Sequence, residues 1–167
     1  EAIEQGRKIF SNLKKAIRYI ISIHIPIIFT ASLPVLFGWK YPNIFSPIHV
    51  IFLELIMGPT CSIFFEKEPV ERNIMLQKPR KRDKFLFQKN ELLVSISQGI
   101  IITVGVLLLY HYFMNYHSLA LTRTIVFNTL ILSNIFLTFT NRSFTESIFK
   151  TVKFKNSLAP FIIIISI

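Results

Sequence analysis

The sequence predicts an all-α integral membrane bundle of four full transmembrane helices and the start of a fifth. Three observations carry this. Several apolar runs reach about 18 residues, the length that crosses roughly 30 Å of hydrocarbon. Of 167 residues 51% are apolar and 17 are Phe, too few polar groups to cover a soluble domain of this length. The Lys and Arg residues fall in alternate connecting segments. The apolar runs lack the alternation of barrel strands, so helices are the only way to satisfy their backbone groups in lipid.

Residues 1–18 read as a charged, amphipathic stalk, with Ile3, Phe10, Leu13, Ile17 and Ile20 at roughly helical spacing. Such a stalk needs a partner in the cytosol. The first span covers 19–38, the second 48–65, the third 92–114 and the fourth 125–140. The fourth is short unless Leu119 to Thr124 extend it with Arg123 snorkelling. Segments 66–91 and 141–157 are loops, and 158–167 begin a further helix. The whole forms one transmembrane domain with no cleavable signal peptide, because EAIEQGRKIFSNLKK is charged. A start at Glu1 and an end inside the apolar SLAPFIIIISI are expected of a fragment of a longer chain.

The net charge of +10 has a simple source. Five basic residues precede the first span: Arg7, Lys8, Lys14, Lys15 and Arg18. One, Lys40, follows it, and eight lie between the second and third spans. None follows the third before Arg123, and four (Arg142, Lys150, Lys153 and Lys155) follow the fourth. This alternation is the positive-inside pattern. It places the N-terminus and the basic loops in the cytoplasm, and WKYPNIFS and NYHSLALT outside. A nucleic-acid partner is not expected, since the basic residues are divided among three segments and form no single interleaved face.

The chemistry-bearing residues lie inside the spans. FLELIMGPTC carries Glu54 and then Gly58-Pro59. A carboxylate in lipid costs on the order of 2.5 kcal/mol or more, and such residues usually face a bundle interior and mark an ion path. The plainer alternative is a structural hydrogen bond from a protonated Glu54 to a neighbouring helix. Pro59 removes a helix bond and clashes with the carbonyl of Leu55, freeing oxygens near Glu54 that broken membrane helices use to coordinate cations. Glu54, Met57, Gly58 and Cys61 share one helical face. In the first span His24 precedes Pro26, which is expected to weaken the helix there, giving two adjacent broken helices with one ionisable group each. Gln98 and Asn134 offer oxygens on the later spans, although polar residues of this kind more often hold helices together. Soft ligands for a metal exist in His24, His49, Met57 and Cys61, without any ligand pair such as CxxC. Cys61 is the single cysteine and forms no internal disulfide. No Gly-rich phosphate loop, Ser-His-Asp pattern or aspartyl-phosphate sequence is present, so the chain alone is expected to hydrolyse nothing.

Three stretches carry a resemblance. EQGRKIFSNLKKAIRYIIS, SPIHVIFLELIMGP and EPVERNIMLQKPR occur in this order. Together they resemble the C-terminal membrane domain of cation-transporting P-type ATPases, the calcium-pump-like branch. The resemblance covers most of the first 90 residues. It implies helices five to eight and the start of nine of a ten-helix transporter. The earlier helices and the cytoplasmic domains, which use ATP and Mg2+, would lie elsewhere in the parent chain; no cofactor is expected in this portion. The transported cation and the lipid bilayer are the implied partners, and a bacterial plasma membrane the implied location. At the family's ion-ligand positions stand His24 and Ile27, then Glu54, Met57 and Gly58, of which only Glu54 keeps an oxygen donor. Calcium takes six to eight oxygen ligands, and a carboxylate with few fixed partners suits a proton or a monovalent ion better. The rival expectation is a non-enzymatic channel or accessory membrane subunit in which Glu54 only holds helices together.

Overall fold

The computed structural model of the chain describes residues 1–59, 63–69, 74–76 and 89–143. Four helices make up almost all of them: α1 (Ala2–Leu36), α2 (Pro47–Pro59), α3 (Lys89–Tyr116) and α4 (Leu119–Thr140). The α1, α3 and α4 helices are long and apolar enough to cross a membrane, and α2 is a shorter apolar helix. The chain is a multi-pass integral membrane protein built as a helical bundle. Its lipid-side surface is apolar, with Ile28, Ile51, Leu55, Ile101, Leu108 and Leu132 all exposed. That exposure is favourable only where hydrocarbon replaces water.

At 35 residues α1 is about 52 Å long at 1.5 Å per residue, well beyond the hydrocarbon thickness. Stalk and first span are therefore one continuous rod. Pro26 and Pro34 lie inside it without breaking it, contrary to the expectation of a weakened helix at His24. The hydrogen bond that Pro26 deletes is the one to the Ser22 carbonyl. Gly99 of α3 packs closely against that carbonyl. The rod ends at Gly38, whose φ of 61° is the left-handed conformation a side chain would resist. The Trp39 amide bonds the Pro34 carbonyl at 2.9 Å and the Gly38 amide that of Val35 at 3.3 Å, a Schellman ending.

The other boundaries shift from the sequence expectation. The second span, expected over 48–65, has its described helix at Pro47–Pro59, followed after a gap by a helical turn at 63–67. The fourth span starts at Leu119 because Ser118 caps it, its hydroxyl accepting the Leu121 amide at 3.5 Å. Arg123, in the first turns of this helix, reaches back to the α1–α2 connection. Its Nε donates to the Ile44 carbonyl at 2.7 Å and so ties α4 to the segment before α2. The expected loop at 144–157, the partial helix at 158–167 and Cys61 lie outside the described residues.

The packing order is α1 on α3, α3 on α4, with α1 and α2 also touching α4. Two apolar cores result. One, near the α1–α2 connection, gathers Ile44, Leu53, Ile56, Val106, Tyr110, Val126 and Leu130. The other gathers Tyr19, Ile23, Met57, Phe64, Phe65 and Leu137. The stalk stripe behaves differently from expectation. Ile3, Leu13 and Ile20 remain exposed, while the polar Asn12, Lys15 and Arg18 are the buried residues. Polar side chains of the stalk reach the ends of the other elements. Asn12 Nδ2 donates to the carbonyls of Glu68 (2.9 Å) and Glu66 (3.3 Å). Lys14 pairs with Glu91 at 2.7 Å, and Arg7 donates to the Ile74 carbonyl at 2.6 Å.

Candidate ion site

The residues singled out in the sequence fall into two loci. His24 and Glu54 form the first, across α1 and α2, with Nε2 and Oε1 3.9 Å apart. The His24 side chain is 42% exposed and that of Glu54 60%, on a face that α3 and α4 leave open. The apolar neighbours Ile20, Ile28, Ile51 and Leu55, one helical turn or less away, are exposed with them.

The tautomer of His24 decides what this pair does. Nδ1 lies 2.8 Å from the Ile20 carbonyl, and a carbonyl only accepts, so Nδ1 carries the proton. In the neutral ring Nε2 is then an acceptor aimed at another acceptor, the Glu54 carboxylate. With a proton on Nε2 as well, the two groups form an ion pair across α1 and α2.

Gly58 lies one turn beyond Glu54 on α2, and no Cβ contact restricts it within 4 Å. Met57 points the other way. It is buried in the second core with Tyr19, Ile23 and Leu137, and Ile27 packs against both cores. Two of the resemblance-implied ligand positions are thus occupied by apolar packing.

The second locus is buried between α1, α3 and α4. The Tyr19 hydroxyl donates to Asn134 Oδ1. Ser22 Oγ lies 2.9 Å from the Arg18 carbonyl and 3.1 Å from both the Ser95 carbonyl and Gln98 Oε1. Asn141 Nδ2 donates to the Leu137 carbonyl at 3.0 Å and reaches Gln98 Oε1 at 3.5 Å. Asn134 and Gln98 are therefore bonded within this seam, and Glu54 is paired outside it. The soft-ligand set is not assembled. His49 sits at the start of α2 beside Ser46 and against the Phe127 ring at 5.0 Å. Among the described residues no group of three or more His, Cys, Asp or Glu is placed to hold a metal.

Sequence reasoning missed a buried ion pair. Arg142 Nε donates to Glu68 Oε1 at 2.8 Å with both side chains sealed from solvent, and the guanidinium stands over the rings of Phe64 (5.4 Å) and Phe139 (5.9 Å). It joins the segment after α2 to the end of α4. Residues 74 apart in sequence give no local signal for this, and both were read as loop charges.

The geometry identifies a membrane bundle with an ionisable pair on its open face. The family described as "Cation transporting ATPase, C-terminus" matches residues 42–167. The chain belongs to this family. Relatives of these C-terminal cation-ATPase domains agree. A calcium-transporting ATPase of Bacillus cereus is 27% identical over 184 residues, covering 100% of this chain and 20% of the relative. One of Bacillus subtilis is 29% identical over 157 residues, covering 93% of this chain and 17% of the relative. The calcium-transporting ATPase type 2C member 1 of Homo sapiens is 25% identical over 150 residues, covering 89% of this chain and 16% of the relative. The chain spans about a fifth of the length of the curated relatives it matches. A free-standing channel or accessory subunit is not favoured by a family match over most of the sequence.

Proposed function

We propose that this chain is the membrane-embedded ion-pathway portion of an ATP-driven cation pump, with Glu54 as the principal cation ligand and His24 beside it. The observation that carries the reading is the His24–Glu54 pair, two acceptors facing each other 3.9 Å apart on an otherwise apolar open face. Left exposed to lipid, a charged carboxylate costs about 2.5–3.5 kcal/mol. A bound cation and further helices of the parent protein would remove that cost. Pro59, lacking an N–H, cannot bond the Leu55 carbonyl one turn back. Asn134 and Gln98 act as interhelical glue, Asn134 Oδ1 accepting from the Tyr19 hydroxyl and Gln98 Oε1 from Ser22.

The intact protein would draw on ATP and Mg2+ bound to cytoplasmic domains outside this chain, and α1 would carry their movement to Glu54. The alternation of Lys and Arg supports a cytoplasmic N-terminus, and the Bacillus relatives support a bacterial plasma membrane. Removing the charge at constant shape tests the site. In the intact protein Glu54→Gln should lose cation-stimulated ATP hydrolysis while keeping wild-type yield and thermal stability; unchanged stimulation would remove Glu54 from the pathway.

A further inference from the structure

We infer that Arg123 and Arg142, at the two ends of α4, are positioning residues for the ion pathway: they fix the height of the second span against α4 and thereby hold Glu54 level with His24. This rests on the pump reading above, in which Glu54 is the principal ligand, and deepens it.

His24 and Glu54 lie on different helices. The backbones of α1 and α2 come together in fewer places than either meets α4. The 3.9 Å between the two side chains therefore depends on what locates α2. Leu53 and Ile56, either side of Glu54, pack in one core with Val126 and Leu130 of α4, but apolar contacts are non-directional and set an axial position poorly. Two directional ties from α4 supply it. At the α1–α2 connection Arg123 Nε donates to the Ile44 carbonyl at 2.7 Å and Nη2 to the Asn43 carbonyl at 3.4 Å. A rigid fork on two successive carbonyls fixes direction as well as distance. At the other end Arg142 Nε donates to Glu68 Oε1 at 2.8 Å, with both side chains closed off from solvent. Its guanidinium stands over Phe64, in the segment following α2, and over Phe139 of α4, so the rings hold the same two pieces together. The Glu68 carbonyl accepts Asn12 Nδ2 of α1 at 2.9 Å, which refers this end of the span to the stalk as well. The two arginines stand about 28 Å apart at 1.5 Å per helical residue, close to the roughly 30 Å of hydrocarbon. The second span is thus fastened to one helix at both of its ends by charge-assisted bonds, the stronger and more directional kind.

The test compares wild type, Arg123→Met, Arg123→Lys and the double variant Glu68→Leu/Arg142→Met in the purified intact protein. The double variant replaces the buried ion pair by apolar side chains and so avoids leaving one charge alone. The first readout is register. Spin labels at Ile48→Cys on α2 and Leu132→Cys on α4, both exposed positions, in a background without other reactive cysteines, report the distance between the helices by pulsed EPR. The wild type should give one narrow distribution, and Arg123→Met and the double variant a displaced or broader one. The second readout is ATP hydrolysis with Ca2+ as the probe. Half-saturation should weaken about tenfold or more in both, since a misplacement of about 1 Å at a site can cost up to a hundredfold, while the rate at saturating Ca2+ changes less. Arg123→Lys, which keeps the charge and loses the fork, should fall between wild type and Arg123→Met. A merely structural role lowers the unfolding temperature and moves neither readout. An unchanged distance distribution or an unchanged half-saturation in either variant removes that arginine from the role, and in both overturns the inference. Register needs no turnover, so it decides the ties whichever ion is carried. Glu54→Gln separates this from the pump reading: its loss of stimulation beside an unaltered Arg123→Met keeps the pathway and rejects the positioning. Full stimulation in Glu54→Gln overturns both.

Discussion

Gly99→Ala isolates the contact that holds the ion-carrying helix. A Cβ at Gly99 would stand 2.8 Å from the Cβ of Ile25 and 2.9 Å from the Ser22 carbonyl oxygen, where ordinary contacts begin at 3.4 Å. Neither obstacle moves by rotating a side chain, because one is a Cβ and the other is backbone. The α1 and α3 helices would therefore have to part by about half an ångström along the closest packed seam of the bundle. Overpacking of this kind costs about 1–3 kcal/mol, and alanine returns up to about 1 kcal/mol of helix propensity over glycine. The net expectation is a loss of about 1–2 kcal/mol. Gly105, on the same helix, is the internal control: nothing lies within 4 Å of its Cβ position, so Gly105→Ala should be neutral or slightly stabilising. Thermal unfolding of the purified intact protein reads both variants. Because Ile25 follows His24 directly, Gly99→Ala should also weaken cation half-saturation. Gly99→Ala as stable as Gly105→Ala would refute the close approach of α1 and α3.

Three further outcomes follow from named contacts. Glu68→Gln or Arg142→Met alone breaks a buried ion pair and should cost about 3–5 kcal/mol in unfolding, while Glu68→Leu combined with Arg142→Met should recover most of that loss. Asn134→Leu strands the buried Tyr19 hydroxyl and should cost about 1–3 kcal/mol; combining it with Tyr19→Phe should restore near wild-type stability, which a double-variant cycle measures. Arg123→Met frees the Ile44 and Asn43 carbonyls, and hydrogen exchange across residues 39–46 should speed up while exchange in α3 stays as in the wild type.

The helical architecture was legible because lipid leaves few choices. Apolar length named the long helices, and the price of a carboxylate in hydrocarbon singled out Glu54. His24 was found by the same reasoning, and the two stand 3.9 Å apart across α1 and α2. Local chemistry was read less well. Pro26 was expected to weaken α1, but the helix runs on through it, and the glycine packed against the Ser22 carbonyl is 73 positions away, a contact that no window around Pro26 contains. The start of α4 was left between Leu119 and Ile125, and the structure takes the longer form, with Arg123 held by the Ile44 carbonyl. Met57 shares a helical face with Glu54 by spacing, yet its side chain fills a core with Tyr19 and Leu137. Ile3, Leu13 and Ile20 of the stalk's apolar stripe stay exposed, whereas Arg7, Asn12 and Lys14 make contacts with distant segments. At that end of the bundle polar groups find carbonyls and opposite charges contributed by distant segments, and hydrophobic periodicity carries no information about them.

The most direct measurement of the central claim is cation uptake by sealed vesicles containing the intact protein, driven by ATP, with wild type and Glu54→Gln compared at equal protein density. The account predicts ATP-dependent accumulation in the wild type and background uptake in Glu54→Gln, with both proteins folded to the same extent. Accumulation at the wild-type rate in Glu54→Gln would contradict it.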